Sequence, residues 1–173
     1  MKKIALISDN HSYSGADILE HVTGVDEIWH AGDIGSLASL SELQEIAPIR
    51  GVYGNIDDTD VRNAFPLDLS WNCEGINVFM THIGGYPGRY KSRVAKLLAE
   101  QRPDVYICGH SHICKVMRDK KLDLLHMNPG AYGHHGFHKM RTLLKFEVAD
   151  AEIQNLRVVE LGYRGVTNKS FKM

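Results

Sequence analysis

The chain of 173 residues reads as an α/β fold with ligand chemistry at the carboxyl ends of its strands. Two observations and one general rule lead there. Short apolar runs alternate with stretches of helical spacing through the first third of the chain, the β-α-β-α-β rhythm of a parallel sheet covered by helices. Several runs end at once in Asp, Asn or His: Asp9-Asn10-His11, Gly32-Asp33, Gly54-Asn55, Thr81-His82 and Gly109-His110-Ser111-His112. In open α/β sheets ligands gather at those strand ends, so topology and chemistry point to one place.

In order, Lys3 to Ser8 is a short strand, apolar on both faces and then stopped by polar residues. Asp9 to Ser14 is a loop, and Gly15 to Val22 has helical spacing with Ile18, Leu19 and Val22 on one side. Asp26 to His30 is the second strand. Ser36 or Ser39 caps a helix whose Leu37, Leu40 and Leu43 or Ile46 face inward. Pro48 to Tyr53 is the third strand. Leu67 to Cys73 and Ile76 to Met80 alternate around Glu74-Gly75, a hairpin signal whose second strand delivers His82. Gly84 to Gly88 is a loop, and Tyr90 to Gln101 an amphipathic helix with Tyr90, Val94, Leu97 and Leu98 inward. Asp104 to Cys108 is the strand entering the histidine pair. Ile113 to Met117 and Leu122 to Met127 form a hairpin about Asp119-Lys120-Lys121, and Asn128-Pro129-Gly130 a tight loop. Thr142 to Val148 and Ile153 to Leu161 are the last strands. With no repeat or linker, residues 1–173 are expected to form one domain, its polar tail from about Gly162 peripheral.

Composition narrows the function. A net charge of −1 provides no global field for nucleic acid or a membrane surface. The apolar run Ile4 to Ile7 is too short for a signal peptide core, and no run approaches the ~20 residues of a membrane span. Cys73, Cys108 and Cys114 are three, in no CxxC pattern, as expected of reduced thiols in the cytoplasm.

Asp, His and Asn converging from several strand ends make a metal site. With two divalent cations side by side, Asp33 is the natural bridge. Asp9, His11 and one histidine of the pair complete one metal, and Asn55, His82 and the other histidine complete the second. Mixed imidazole and carboxylate ligands suit manganese, with nickel, iron and zinc as the other choices. Two such cations clamp a phosphate and lower the pKa of a bridging water, which yields hydroxide in line with a leaving group.

Asp9-x-His11, Gly32-Asp33, Gly54-Asn55, His82, Gly109-His-x-His112 and Asn128-Pro-Gly130 together resemble the signature of the calcineurin-like metallophosphoesterases, over roughly residues 3 to 149. The short length and the Asn-Pro-Gly block resemble the small YfcE-type phosphodiesterase branch. The resemblance implies a four-layer αββα sandwich, two mixed sheets with helices outside and a dinuclear metal site at the strand ends. It assigns His110 to the Asn55/His82 metal and His112 to the Asp9/His11 metal. It also puts Asn55, Asn128 and Gly130 near the substrate, a small-molecule phosphate ester. The function implied is phosphodiester hydrolysis. Two rivals are a phosphomonoesterase or nucleotidase, and a non-catalytic protein-binding scaffold like the retromer subunit of the same fold, whose metal centre is impaired. None of the seven ligand positions is replaced here. Relatives of this kind often form dimers or tetramers, so a homo-oligomer is expected.

The sequence departs from the family pattern in three places. Ile56 stands where larger members carry a histidine after Gly-Asn, with Asp57 beside it as an outer carboxylate. Ser12 and Ile83 stand where glycine is frequent, and both are expected to narrow the pocket. The stretch from Gly133 to Arg141 is basic and rich in histidine, so His134 or His135 is expected to protonate the leaving oxygen in place of the missing histidine. Lys139 and Arg141 read as local positive charge or as solvated residues at a strand start. His30 reads as a half-buried structural histidine, and His21 and His126 as surface or sheet residues. Arg89, Lys91 and Arg93 read as the solvated opening of a helix, or as phosphate-steering charges or a subunit contact.

Overall fold

The computed structural model describes residues 1–165. Two five-stranded mixed sheets face each other. The first contains β1 (Lys2–Ile7), β2 (Glu27–His30), β3 (Ile49–Gly51), β9 (Met140–Ala149) and β10 (Glu152–Tyr163), in the order β10-β9-β1-β2-β3. The second contains β4 (Asp68–Cys73), β5 (Ile76–Thr81), β6 (Val105–Ile107), β7 (Cys114–Asp119) and β8 (Leu124–Pro129), in the order β4-β5-β6-β8-β7. β1, β2 and β3 are parallel to one another, as are β5, β6 and β8. The other neighbours pair antiparallel.

The alternation of side chains along each strand sorts them into layers. Ile4 and Leu6 of β1, Trp29 of β2, Val78 and Met80 of β5, Val105 and Ile107 of β6, and Leu144 and Phe146 of β9 meet between the sheets. The intervening Ala5, Ile7, Ile28 and Leu143 face outward onto Ile18, Val22, Leu40, Leu43 and Val61. Those last residues lie on or beside three short helices: α1 (Leu19–Val22), α2 (Ser41–Ile46) and α3 (Thr59–Ala64). On the far side Phe79 and Tyr106 face Val94 and Leu98 of α4 (Ser92–Gln101). The order is helices, sheet, sheet, helix.

Several boundaries differ from expectation. The stretch Gly15 to Val22 is helical only from Leu19. Leu37–Leu40 is a 3₁₀ turn leading into α2; Ser36 precedes it without a side-chain capping bond, and Ser39 Oγ donates to the Ser36 carbonyl. Asn128 and Pro129 belong to β8 rather than to a loop. Pro129 is tolerated there because its pairing with β6 has already ended at Met127. Gly162 and Tyr163 extend β10; the tail beyond residue 165 lies outside the described residues. α3 had no counterpart in the expected elements. Its signal was local: Asp58 caps it, accepting from the Asp60 and Val61 amides at 3.1 Å each.

Candidate metal centre

The parallel strands bring their carboxyl ends to one edge of both sheets. Asp9 follows β1, Asp33 follows β2, Asn55 follows β3, His82 follows β5, and His110 and His112 follow β6. Backbone hydrogen bonds stitch these loops together: Asp9 N–H to the Gly32 carbonyl at 2.9 Å, His11 N–H to Asp33 at 3.1 Å, Gly109 N–H to His82 at 3.1 Å. Glycine permits the close approach. A Cβ at Gly54 would lie 2.1 Å from Asp33 Oδ1, and one at Gly109 would lie 2.2 Å from Ser8 Oγ and 2.8 Å from Asp9 Oδ2.

The backbone at this edge is strained. Asp9, His11, Asp33, His110 and His112 all adopt left-handed φ, between 47° and 67°. Each such residue costs on the order of 1–3 kcal/mol and persists where the surroundings over-determine it. Asp and His are among the types that tolerate this region best.

The side chains form two groups that share Asp33. In one, donor atoms of Asp9, His11, Asp33 and His112 all lie within 4.8 Å of one another; in the other, those of Asp33, His82 and His110 do. Asp9 and Asp33 are buried, 0% and 2% exposed. The first accepts the His110 amide on both oxygens at 3.1–3.2 Å; the second accepts the Ile56 amide at 3.1 Å.

The tautomers show what the groups lack. His82 Nδ1 lies 2.7 Å from the Ala31 carbonyl, which only accepts, so Nδ1 carries the proton. Its Nε2 then faces Asp33 Oδ1 at 3.2 Å and Asp9 Oδ1 at 3.9 Å with a lone pair. His11 Nε2 lies 3.7 Å from Asp33 Oδ2. Both Nε2 atoms are buried without a hydrogen-bond partner. Lone pairs of imidazole and carboxylate directed at each other are favourable with a cation between them, and the donor set fits divalent metal ions. Burial opposes charge on His82, but Asp33 and Asp9 outweigh it and raise its pKa. Burial likewise opposes charge on Asp33, but His82 outweighs it and holds the carboxyl below the usual range. Burial lowers the pKa of His11 and His110.

The third imidazole in contact with carboxylate is oriented by another histidine. His138 Nε2 lies 3.1 Å from the Gly133 carbonyl and therefore donates to it. Its Nδ1 is then an acceptor, 3.2 Å from His112 Nδ1, which must hold the proton. His112 Nε2 is left as a lone pair 3.2 Å from Asp9 Oδ1. Such partners fix the tautomer of a ligating imidazole.

A cleft of about 270 Å³ opens over the two groups and is lined by His11, Asp33, Asn55, His110, His112 and His135. The two histidines expected as acids separate here. The exposed His135 ring sits 4.5 Å from that of His11. His134 turns away, edge-on to Tyr13 at 4.5 Å, and its Nδ1 accepts from the Gly165 amide at 3.3 Å. Asn128 clasps the histidine-pair loop, donating to the Gly109 carbonyl at 2.8 Å and Ser111 Oγ at 3.2 Å, while its oxygen accepts the Gly130 amide at 2.9 Å. Gly130 is buried. Both therefore shape the site from beneath.

Other expectations change with burial. His30 is fully buried, not half-buried. It accepts the Gly32 amide on Nδ1 at 3.2 Å and donates from Nε2 to Asn10 Oδ1 at 3.0 Å, tying the loops of Asp9 and Asp33 together. Arg141 is not solvated: 2% exposed, it pairs with Asp17 at 2.7 Å and donates to the Tyr132 carbonyl at 2.7 Å. Arg93 pairs with Asp68 and donates to Thr81 Oγ1. Ser12 packs its hydroxyl by Gly35 and does not line the cleft. Ile83 divides two smaller cavities beside the cleft. Asp57 has a bracing role: its carboxylate accepts the Gly35 amide at 2.6 Å and the Gly54 amide at 2.7 Å, joining the loops of Asp33 and Asn55.

The model of the calcineurin-like phosphoesterase superfamily domain matches residues 1–151. The chain belongs to that superfamily. Among curated proteins it is similar to a probable metallophosphoesterase of Methanocaldococcus jannaschii, 29% identical over 133 residues that cover 74% of this chain and 67% of the relative. Among solved structures its fold is that of a novel archaeal phosphodiesterase, with a TM-score of 0.69 and 23% identity over 91% of this chain and 99% of the other. Vps29 of Chaetomium thermophilum shares the fold as well, with a TM-score of 0.73 and 13% identity over 95% and 100%. The superfamily fold thus occurs in proteins with different names, and the side chains at the site carry any finer argument.

Proposed function

We propose that the chain is a metal-dependent phosphodiesterase. The observation that carries this reading is the sharing of Asp33 between two donor groups, with the His82 lone pair turned against it. Asp9, His11, Asp33 and His112 hold one divalent ion. Asp33, Asn55, His82 and His110 hold the other, Asn55 by its side-chain oxygen. Bound there, a pair of ions such as manganese supplies Lewis acidity to phosphoryl oxygens and water of lowered pKa.

The protein's own contribution is placement. His82 and the Ile56 amide favour the ionised form of buried Asp33, Asp9 is oriented by the His110 amide, and the Ala31 carbonyl and His138 hold two histidines in the tautomer that leaves Nε2 free. His135, exposed at the cleft wall beside His11, is the group positioned to protonate the departing oxygen. Cavities of about 170 and 190 Å³ adjoin His110 and His82, so a substituent on either side of phosphorus finds space. That supports a diester over a monoester. The complete donor set supports an enzyme over a scaffold of the Vps29 kind.

Bis(4-nitrophenyl) phosphate with added Mn²⁺ tests the reading. Turnover is expected for the wild type, with a loss of at least about 10³-fold in Asp33→Asn. No turnover by a manganese-loaded wild type would refute it.

A further inference from the structure

The cavity beside His110 has features that the metal groups do not use. It lies between the loop after β5 and strands β7 and β8, with a volume of about 170 Å³. That is below the ~300 Å³ floor for pockets that take drug-sized ligands, so it admits a group of about one ring. His110 and Ser111 line both this cavity and the main cleft, which makes the two continuous. Ile83, Tyr86, Cys108 and Ile113 give it apolar walls.

Its charge is one-sided. Lys91 and Lys115 line it, and no carboxylate does. Among the described residues the lysine ion pairs are those of Lys2 and Lys96, so neither cavity lysine has an acidic partner. The Lys115 ammonium lies 3.7 Å from the Tyr86 ring centroid. His126, 1% exposed, lines the same cavity with an unpartnered Nδ1. The neighbouring cavity beside His82 differs: Arg93 there is paired with Asp68, and Arg62 donates to the Asp57 carbonyl and lies over Tyr53. On the His82 side Arg62 lacks an acidic partner but is held by that carbonyl and ring, whereas two lysines without an acidic partner line the cavity beside His110.

We infer that the cavity beside His110 receives one alcohol substituent of the substrate, and that this substituent is a small ring-bearing group with a negative charge held by Lys91 and Lys115. The inference rests on the phosphodiesterase reading. Substrate charge and size are then selected by β7 and the loop after β5, apart from the ligand loops.

The test compares methyl 4-nitrophenyl phosphate with methyl 3-carboxy-4-nitrophenyl phosphate on the manganese-loaded protein. A charge-assisted hydrogen bond contributes about tenfold in affinity. With one such contact from each lysine, KM for the carboxylated ester is expected to be about a hundredfold the lower of the two. Lys91→Met and Lys115→Met should each raise it by about tenfold while leaving kcat, and both constants for the neutral ester, within about twofold. Lys139→Met, outside the cavity, should leave the preference intact. Hydrolysis of both esters with no charge preference, or equal losses on both in the lysine variants, would overturn the inference alone. The same shift in Lys139→Met would overturn it too, by making the effect one of general charge. No hydrolysis of either ester by the wild type would bring down the phosphodiesterase reading, and this inference with it.

Discussion

His138 does for His112 what the Ala31 carbonyl does for His82: it accepts the Nδ1 hydrogen bond and so leaves Nε2 as the lone pair. The acceptor, not the ring, is what matters. His138→Asn retains an acceptor near that position and is expected to keep the affinity of the Asp9/His11/His112 metal. His138→Leu, similar in size but without an acceptor, is expected to weaken it by about 10–100-fold. Metal titration by calorimetry distinguishes them, and equal affinities would remove the role. A second residue-scale effect concerns buried neutral histidines. Burial pushes His30 and His126 down to about 4, against about 6.5 in an unfolded chain. Between those values the unfolded state binds the additional protons, so stability is whole above about pH 6.5 and falls as pH drops toward about 4. Each histidine contributes on the order of 3 kcal/mol to that fall. Denaturant unfolding of the metal-free chain at pH 7 and 4.5 should show it, and His126→Leu should reduce the fall by that residue's own share, on the order of 3 kcal/mol. The Asp and His residues that gather in the two donor groups were legible as residues placed after strands. The separate tasks of His134, His135 and His138 were not, because they depend on how one glycine-containing loop turns, and residue type is the same for all three.

At the scale of elements, alternation along the strands carries the fold. β1 shows it most simply: Ile4 and Leu6 face the inter-sheet core while Ala5 and Ile7 face the helices. Apolar character on both faces marks such strands as buried, and that much was readable. Trp29 anchors the inter-sheet layer, fully buried, edge-on to Trp71 at 4.9 Å and to Phe146 at 5.5 Å. Trp29→Ala should cost about 3–5 kcal/mol in urea unfolding, whereas Val158→Ala, at a half-exposed position on β10, should stay within about 0.5 kcal/mol. A small effect at Trp29 would mean that the sheets are not held by this layer. The helices on the first sheet were less legible. α1, α2 and α3 have four to six residues, too few for a 3.6-residue period to show over a full face. α4, with ten residues and Val94 and Leu98 inward, was plain.

For the whole molecule, the two sheets meet so that the carboxyl ends of both sets of parallel strands share one edge. Pairings such as β1 with β9, across more than a hundred residues, leave no local trace; the αββα order came from the family resemblance and not from periodicity. The edge concentrates buried carboxylates, unpartnered imidazole nitrogens and left-handed backbone, all features that would destabilise a protein without a cation to hold. On the proposed function, the sharing of Asp33 leads to an expectation of two ions per chain, with His110 and His112 serving different ones. The most direct test is metal content by plasma mass spectrometry after manganese reconstitution and desalting. Two equivalents are expected in the wild type, one in His110→Ala, one in His112→Ala and none in the double variant. A single equivalent in the wild type, or one equivalent retained by the double variant, would contradict a centre built around a shared Asp33.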